Sequence, residues 1–513
     1  MKFFEKLFKL KKNGTTIKTE LIGGLVTFVA MCYVLPLNAK IMTDMGMDTA
    51  GVFVATALVS FVVTLIMGLV ANYPIALSAG MGLNAYLVYS VALGFGFSWQ
   101  ESMILLTIAG ILFFVISFTP FRKAIIEKMP RDLKFIISAG LGAFIAFIGL
   151  NNSGIITTAA SIETNNLNLP VFIEGSVFQK ITGGTIVQLG SLAQPAILIA
   201  LLGTILAFGL MFVKKRGVAT MAIPIAILAS AVVAVSAFLI IYHTTDTSVY
   251  ANPLDNPLLK GLPIVPWLDD PKNVVWGGDG LQNVLFYGYL SGEGSEFYPK
   301  EGFWQMLGNV LSNPGSYIAI FSMTFVNLFD TTSTFLAVGR DAGALDENGK
   351  MRDYTRAVFA DATGSLICAP LGTSTVTSYA ESGVGVSLGA KTGLASVATA
   401  FMFLLAAFIF PVFSILTSFS VTAPALIAVG GMIFINNFKE IDFKDKIASF
   451  TAFITVIMML LTYSISYGLG LGLIFYCVMM LFARRGKEIP VIIYVTTALF
   501  VVAFAANAVM DLM

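Results

Sequence analysis

Three carboxyl side chains, Asp330, Asp361 and Glu381, fall inside long apolar runs and away from their ends. At the centre of a membrane helix each costs on the order of 3 kcal/mol, so an acid kept there faces a cavity and marks a ligand or proton path. Asp330 sits in FVNLFDTTSTFLAVG, with Thr334 one turn further on the same face. Glu381 follows TSTVTSYA directly and opens SGVGV, where a helix beginning in mid-membrane leaves backbone N–H groups unpaired. An acceptor carboxylate beside donor amides suits a planar ligand with both N–H and C=O groups, and suits a bare anion poorly. Asp361, in FADATGSL, is open to two roles: a water bridge between the other acids, or a cap on a neighbouring segment. Removing a carboxylate from water penalises its charged form. Asp330, with only hydroxyls nearby, is therefore the better proton carrier, and Glu381, beside amides, the better acceptor. The single histidine, His243, and the dispersed Cys32, Cys368 and Cys477 supply neither a metal cluster nor a nucleophile–base pair. No GxxxxGK[ST] loop is present for a nucleotide-driven pump. No metal or other cofactor is expected, and an enzyme is excluded.

The elements that must hold these acids are membrane helices. Of the 513 residues, 57% are hydrophobic and 12% charged, where a soluble globular chain is about a quarter charged. A soluble enzyme and a nucleic-acid-binding protein are both excluded, the more so because 30 Lys+Arg nearly cancel 29 Asp+Glu. A bilayer crossing needs about 20 apolar residues. Such runs cover 20–41, 50–72, 74–94, 100–120, 133–152, 190–214 and 218–241, then 316–338, 355–370, 374–389, 393–417, 421–436, 445–464 and 466–484. That is seven plus seven, and a further run at 489–510 is an extra crossing or an edge helix. The first run is too long for a signal peptide, begins after Glu20 and lacks a small-residue cleavage pattern.

Charge placement supports this count, because cytoplasmic loops hold the Lys/Arg excess. With the basic tail 1–18 inside, alternation puts 121–134, 214–216, 339–356, 436–446 and 483–487 on the cytoplasmic face, and each is basic or mixed. The opposite face receives 152–189, whose basic residue is Lys180, and the more acidic segment 243–314 with Trp267, Trp276 and Trp304. Each outer segment is expected to form a small cap. Two runs do not read as plain helices. YPIALSAGMG at 73–82 and GTSTVTSYAESGVG at 372–385 place Pro, Gly, Ser and Thr at mid-membrane, where such residues propagate a helix badly. They are the third run of each seven. Matched interruptions in two halves are the signature of inverted repeats around a midplane site.

PIALSAGMGLNAY, DTTSTFLAVG and GTSTVTSYAESGVGVSLGAKTG resemble the signature stretches of the nucleobase–ascorbate transporter superfamily, in particular its AzgA-like adenine/guanine/hypoxanthine permeases. The resemblance implies an all-α polytopic membrane fold of fourteen segments as two inverted sevens, with two short midplane strands from the third and tenth. It implies a core domain at 20–120 and 316–417 and a gate domain at 121–241 and 418–484. Around these lie a cytoplasmic tail at 1–19, an extracytoplasmic segment at 242–315 and a C-terminal apolar segment at 485–513. Carried over by motif, the substrate contacts fall on Asp330, Glu381, the backbone of Ala380 and the amide of Asn84, with Thr334 where some relatives have histidine. Proton coupling falls to Asp330, Glu381 or Asp361. The implied activity is proton symport of purine nucleobases across the plasma membrane, with a homodimer formed through gate domains. An anion exchanger or channel of the related sulfate/bicarbonate architecture, and a xanthine/uracil permease, are the competing readings.

Overall fold

In a computed structural model the described residues are 2–119, 129–158, 187–214, 218–219, 221–245, 256–263, 284–285, 302–344, 351 and 354–510. Trp267, Trp276, Lys180 and most of both outer segments lie outside them, as does most of the basic stretch 121–134. The described chain is mostly helical, with two small antiparallel sheets. Among these residues, seven helices are long and apolar enough to cross a membrane, or eight if a bent pair counts as one span. Shorter apolar helices, including Pro195–Met211 and Lys446–Leu461, accompany them. Leu202, Ile205, Val232, Phe453 and Phe482 are among many large apolar side chains left exposed, a belt that water would penalise and lipid accepts. The apolar run after Arg485 is also helical, at Val491–Met510.

Contacts divide the chain into two units. The smaller comprises Ala146–Ile264 and Ser418–Ala428. Its helices Pro195–Met211 and Ala222–Thr244 pack against each other, and Ala200 of the first joins Ile155, Ala423 and Ile427 in a small core. There β2 (Ile156–Thr158) pairs with β3 (Val187–Leu189), Ile156 opposite Leu189.

The larger unit holds Asp330, Asp361 and Glu381. Its first run does not form one straight helix. Pro36 has no N–H, and its ring clashes with the carbonyl four residues back, which is that of Cys32. The helical ladder is accordingly interrupted at Cys32–Tyr33, between Ile17–Met31 and Val34–Thr43, while both residues keep right-handed helical angles and the two pieces continue as one 27-residue span. The eleventh run breaks too: Gly393–Ala407 and Phe410–Thr417 meet at 86°, with Pro411 in the first turn of the second piece, the position where proline is tolerated.

The third and tenth runs leave helical geometry where the sequence places their Gly, Pro and hydroxyl residues. β1 (Leu77–Ala79) precedes a short helix at Met81–Ala85, and β4 (Val376–Ser378) precedes one at Ser382–Ser387. Gly23 and Gly385 bring the first helix against the second of these short helices. A Cβ on Gly23 would lie 2.6 Å from the Ala390 Cβ, and one on Gly385 would strike the Gly23 carbonyl and the Thr27 hydroxyl. Buried Glu20 then accepts from the amides of Lys391 at 2.8 Å and Thr392 at 3.2 Å, satisfying N–H groups just ahead of the helix Gly393–Ala407 that would otherwise lack partners. Overpacking costs about 1–3 kcal/mol even against movable side chains, and here the obstacle is backbone. Gly385→Leu is expected to lower the thermal unfolding midpoint of the purified protein by several degrees. An unchanged midpoint would show that this backbone contact does not hold the two segments together.

Candidate functional site

The site grows from the pairing of two strands 299 residues apart, counted from Leu77 to Val376. Leu77 faces Ser378, Ser78 faces Thr377 and Ala79 faces Val376. The Gly80 amide extends the pair to the Thr375 carbonyl at 2.8 Å, and the Tyr379 amide to the Ala76 carbonyl at 3.0 Å. Side-chain hydroxyls satisfy the outward edges. Thr64 Oγ1 accepts from the Leu77 amide at 3.0 Å and donates to its carbonyl at 2.9 Å. Ser382 Oγ accepts from the Ala76 amide at 3.0 Å, and Ser378 donates to the Thr331 carbonyl at 3.3 Å.

Asp330 and Glu381 are brought together at the end of this pair. Each is half-buried, and Ala380 beside them is exposed. Asp330 lies within the field of the Glu381 carboxylate, and the Thr377 hydroxyl is within hydrogen-bond reach of it. Tyr33, buried in the break of the first run, donates to Glu381 Oε1 at 2.7 Å. The Tyr379 hydroxyl donates to the Ala79 carbonyl across the strands and lies within the field of both acids. Thr334 is buried one turn beyond Asp330. Glu381 is the N-cap residue of Ser382–Ser387, as its place before SGVGV suggests. The amides that follow are engaged, however. Ser382 N–H bonds Tyr379 at 3.2 Å, Gly383 bonds Ala380 at 2.8 Å and Val384 bonds Glu381 at 2.9 Å. Tight turns absorb the donors that a regular helix start would leave open.

Two other anticipated residues lie apart from this opening. Asp361, fully buried, accepts from Thr331 at 3.1 Å. It belongs to the polar layer behind β4, where Asn327 donates to Ser365 at 3.0 Å. Asn84 is also fully buried. Its amide donates to Asn38 Oδ1 at 2.8 Å, and its own oxygen accepts from the Ala85 amide at 2.6 Å. Asn38 is the hub of that cluster. It accepts from Ser374 at 2.9 Å and donates to Thr56 at 2.8 Å and Thr373 at 3.0 Å, so one carboxamide uses its whole hydrogen-bonding capacity. Tyr33, Asn38, Thr377 and Tyr379 escaped the sequence reading. The signal for Tyr33 was its place three residues before Pro36, and for Asn38 its polarity inside an apolar run. An apolar cavity of about 240 Å³, lined by Ile318, Phe321, Leu499 and Phe500 among others, begins more than two helical turns from Asp330 and is a separate feature.

The architecture of interrupted helices meeting at a buried strand pair is also found in known structures. The transmembrane domain of the cyanobacterial bicarbonate transporter BicA superposes with a TM-score of 0.56 at 12% identity, covering 88% of this chain and 97% of that one. SLC26A9 gives 0.55 at 11% identity, covering 91% and 66%. At such identities the likeness is one of fold. The sequence goes further: residues 18–227 and 286–471 match the Permease family, Xan_ur_permease, and the chain belongs to that family within the nucleobase–ascorbate transporter superfamily. It is 34% identical to the guanine/hypoxanthine permease PbuG of Bacillus subtilis over 97% of this chain and 98% of that one. It is 31% identical to the adenine permease AdeQ of Escherichia coli over 96% and 94%. The protein is a multi-pass membrane permease and not an enzyme.

Leaving a buried polar group without its partner costs about 1–3 kcal/mol, and Asn38→Ala removes a bond from each of four partners, of which Thr56 and Thr373 keep their bond to each other. Asn38→Ala is expected to lower the thermal midpoint more than Asn84→Ala does, measured on the two purified variants in one detergent. Equal midpoints would remove Asn38 from its place as hub.

Proposed function

We propose that the protein imports purine nucleobases, namely adenine, guanine and hypoxanthine, across the plasma membrane by proton symport. The observation that carries this reading is the meeting of Asp330 and Glu381 beside a strand pair, in a chain whose relatives are named as permeases for these purines. The chain would cross the bilayer fourteen times as two inverted sevens, with its N-terminus cytoplasmic. Runs at 20–120 and 316–417 would move as a core against a gate built from 121–241 and 418–484. A second copy would join through the gate.

In this reading Glu381 stays ionised and accepts from purine N–H groups, the Ala380 backbone meets a ring nitrogen or carbonyl, and Thr334 lines the pocket. Asp330 takes the proton. As a neutral acid it both donates and accepts a hydrogen bond, and its protonation removes a charge from a poorly solvated place. Asp361 would communicate with that step through Thr331. Asn84 would read a purine edge only in a state where its bond to Asn38 opens, and otherwise serves the frame. An anion carrier on the same fold is the weaker reading, because two fixed carboxylates would repel a bound anion.

Uptake of labelled hypoxanthine into proteoliposomes, with and without an inward proton gradient, tests the reading. Accumulation should depend on the gradient and be blocked by excess adenine or guanine, while uracil and sulfate compete poorly. Uracil competing as well as hypoxanthine, or gradient-independent sulfate exchange, would overturn it. Two variants separate the acids. Asp330→Asn is expected to keep purine binding or exchange and lose gradient-driven accumulation. Glu381→Gln is expected to lose binding at least tenfold, because its amide can present a donor to the purine's donors and a hydrogen bond to a charged group is worth about 1.5–3 kcal/mol. Accumulation by Asp330→Asn, or wild-type binding by Glu381→Gln, would reverse the assignment.

A further inference from the structure

We propose that Tyr33 is a positioning residue for substrate recognition: from the break in the first run, its hydroxyl holds one oxygen of Glu381 and so fixes the other as the acceptor that reads a purine N–H. The inference rests on the nucleobase reading above and adds a residue to it.

The terminal torsion of a glutamate is broad, so an unrestrained carboxylate offers either oxygen over a range of directions. Here Oε1 receives the Tyr33 hydroxyl at 2.7 Å. Tyr33 is 1% exposed, whereas Glu381 is half-buried and Ala380 next to it is exposed. The phenol thus approaches from the protein side, and the opening lies where Ala380 is. A phenol is suited to this position because it gives the carboxylate a charge-assisted bond without adding a counter-charge. A lysine or arginine there would neutralise the acid and compete with the ligand. The neighbouring hydroxyls have other assignments: Tyr379 donates to the Ala79 carbonyl, and Thr377 serves Asp330. Two features set the reach of Tyr33. Pro36 breaks the first run beside it, and the Gly23–Gly385 contact fixes the distance between that run and the segment carrying Glu381.

A tyrosine that only tied two segments together would, when altered, weaken every ligand alike. A tyrosine that orients one acceptor would alter discrimination at one ligand atom. The test is displacement of labelled hypoxanthine from the purified full chain by hypoxanthine and its 1-, 7- and 9-methyl derivatives. In the wild type, the derivative penalised most identifies the N–H that meets Glu381. Tyr33→Phe should shrink that one penalty about fivefold or more, as expected for losing an oriented bond to a charged group, and leave the other penalties within about twofold. Unchanged penalties, or equal weakening of all four ligands, would overturn the proposal. If Tyr33→Phe does not accumulate in the membrane, Tyr33→Met fills the space without a donor and carries the same expectation. Failure of unmethylated hypoxanthine to displace label from the wild type would overturn the purine reading itself, a result distinct from wild-type binding with Tyr33-independent penalties.

Discussion

Peptide groups at membrane depth have no water to bond, and every N–H and C=O that leaves a helix there must find a partner in protein. Two segments of this chain leave helical geometry, and each supplies most of what the other lacks. The register of Leu77–Ala79 against Val376–Ser378 satisfies the facing edges, and hydroxyls of Thr64, Ser378 and Ser382 take up groups around them. Thr64 belongs to the second run, and Ser378 reaches the Thr331 carbonyl of the eighth, so the strand pair is completed only when other helices pack around it. The same requirement places short side chains around the strands and leaves little room for bulk. Beside such a ribbon, carboxylates can be held by phenol and hydroxyl donors without a basic residue.

Breaks in the helices are what bring the side chains to this place. In the first run the ladder is interrupted at Cys32–Tyr33, ahead of Pro36, and there Tyr33 reaches Glu381, while Asn38, further along the run, meets residues of the second, third and tenth runs. Glycine contacts complete the arrangement by letting backbone touch backbone at Gly23 and Gly385. In a lipid environment such contact is a main source of helix association, because burying apolar side chains from lipid gains little.

The sequence carried the coarse plan well. Apolar run lengths, the isolated acids and the matched Gly/Ser/Thr interruptions each reflect a local cost that any arrangement must meet, so they could be read without coordinates. Glu381 at the start of a short helix followed from that reasoning, and the strand near Val376 from the family resemblance. What it missed depended on partners distant in sequence. Asn84 joins the substrate contacts through its family motif, while in this state its amide donates to Asn38, 46 residues earlier, and its oxygen accepts from Ala85. The open amides expected after Glu381 are instead closed by turns, an outcome decided by backbone angles that composition does not specify. Asp361 is open to two roles along the chain, and the fold sets it behind β4 with Thr331.

The likeness to anion carriers sharpens the argument about what the scaffold does and does not determine. A fold shared at 11–12% identity preserves the way helices break and pair, since that is imposed by backbone satisfaction, but it leaves the side chains at the opening free to differ. Here those side chains are acids held by neutral donors. Two like charges facing one space repel, and a proton on either relieves the repulsion, so the state of the pair depends on what else occupies the space. A ligand rich in N–H groups favours an ionised partner, and a ligand acceptor favours a protonated one. Under the proposed symport, a heterocycle offering both would be matched by one acid in each state, and binding of the ligand would then be tied to uptake of a single proton.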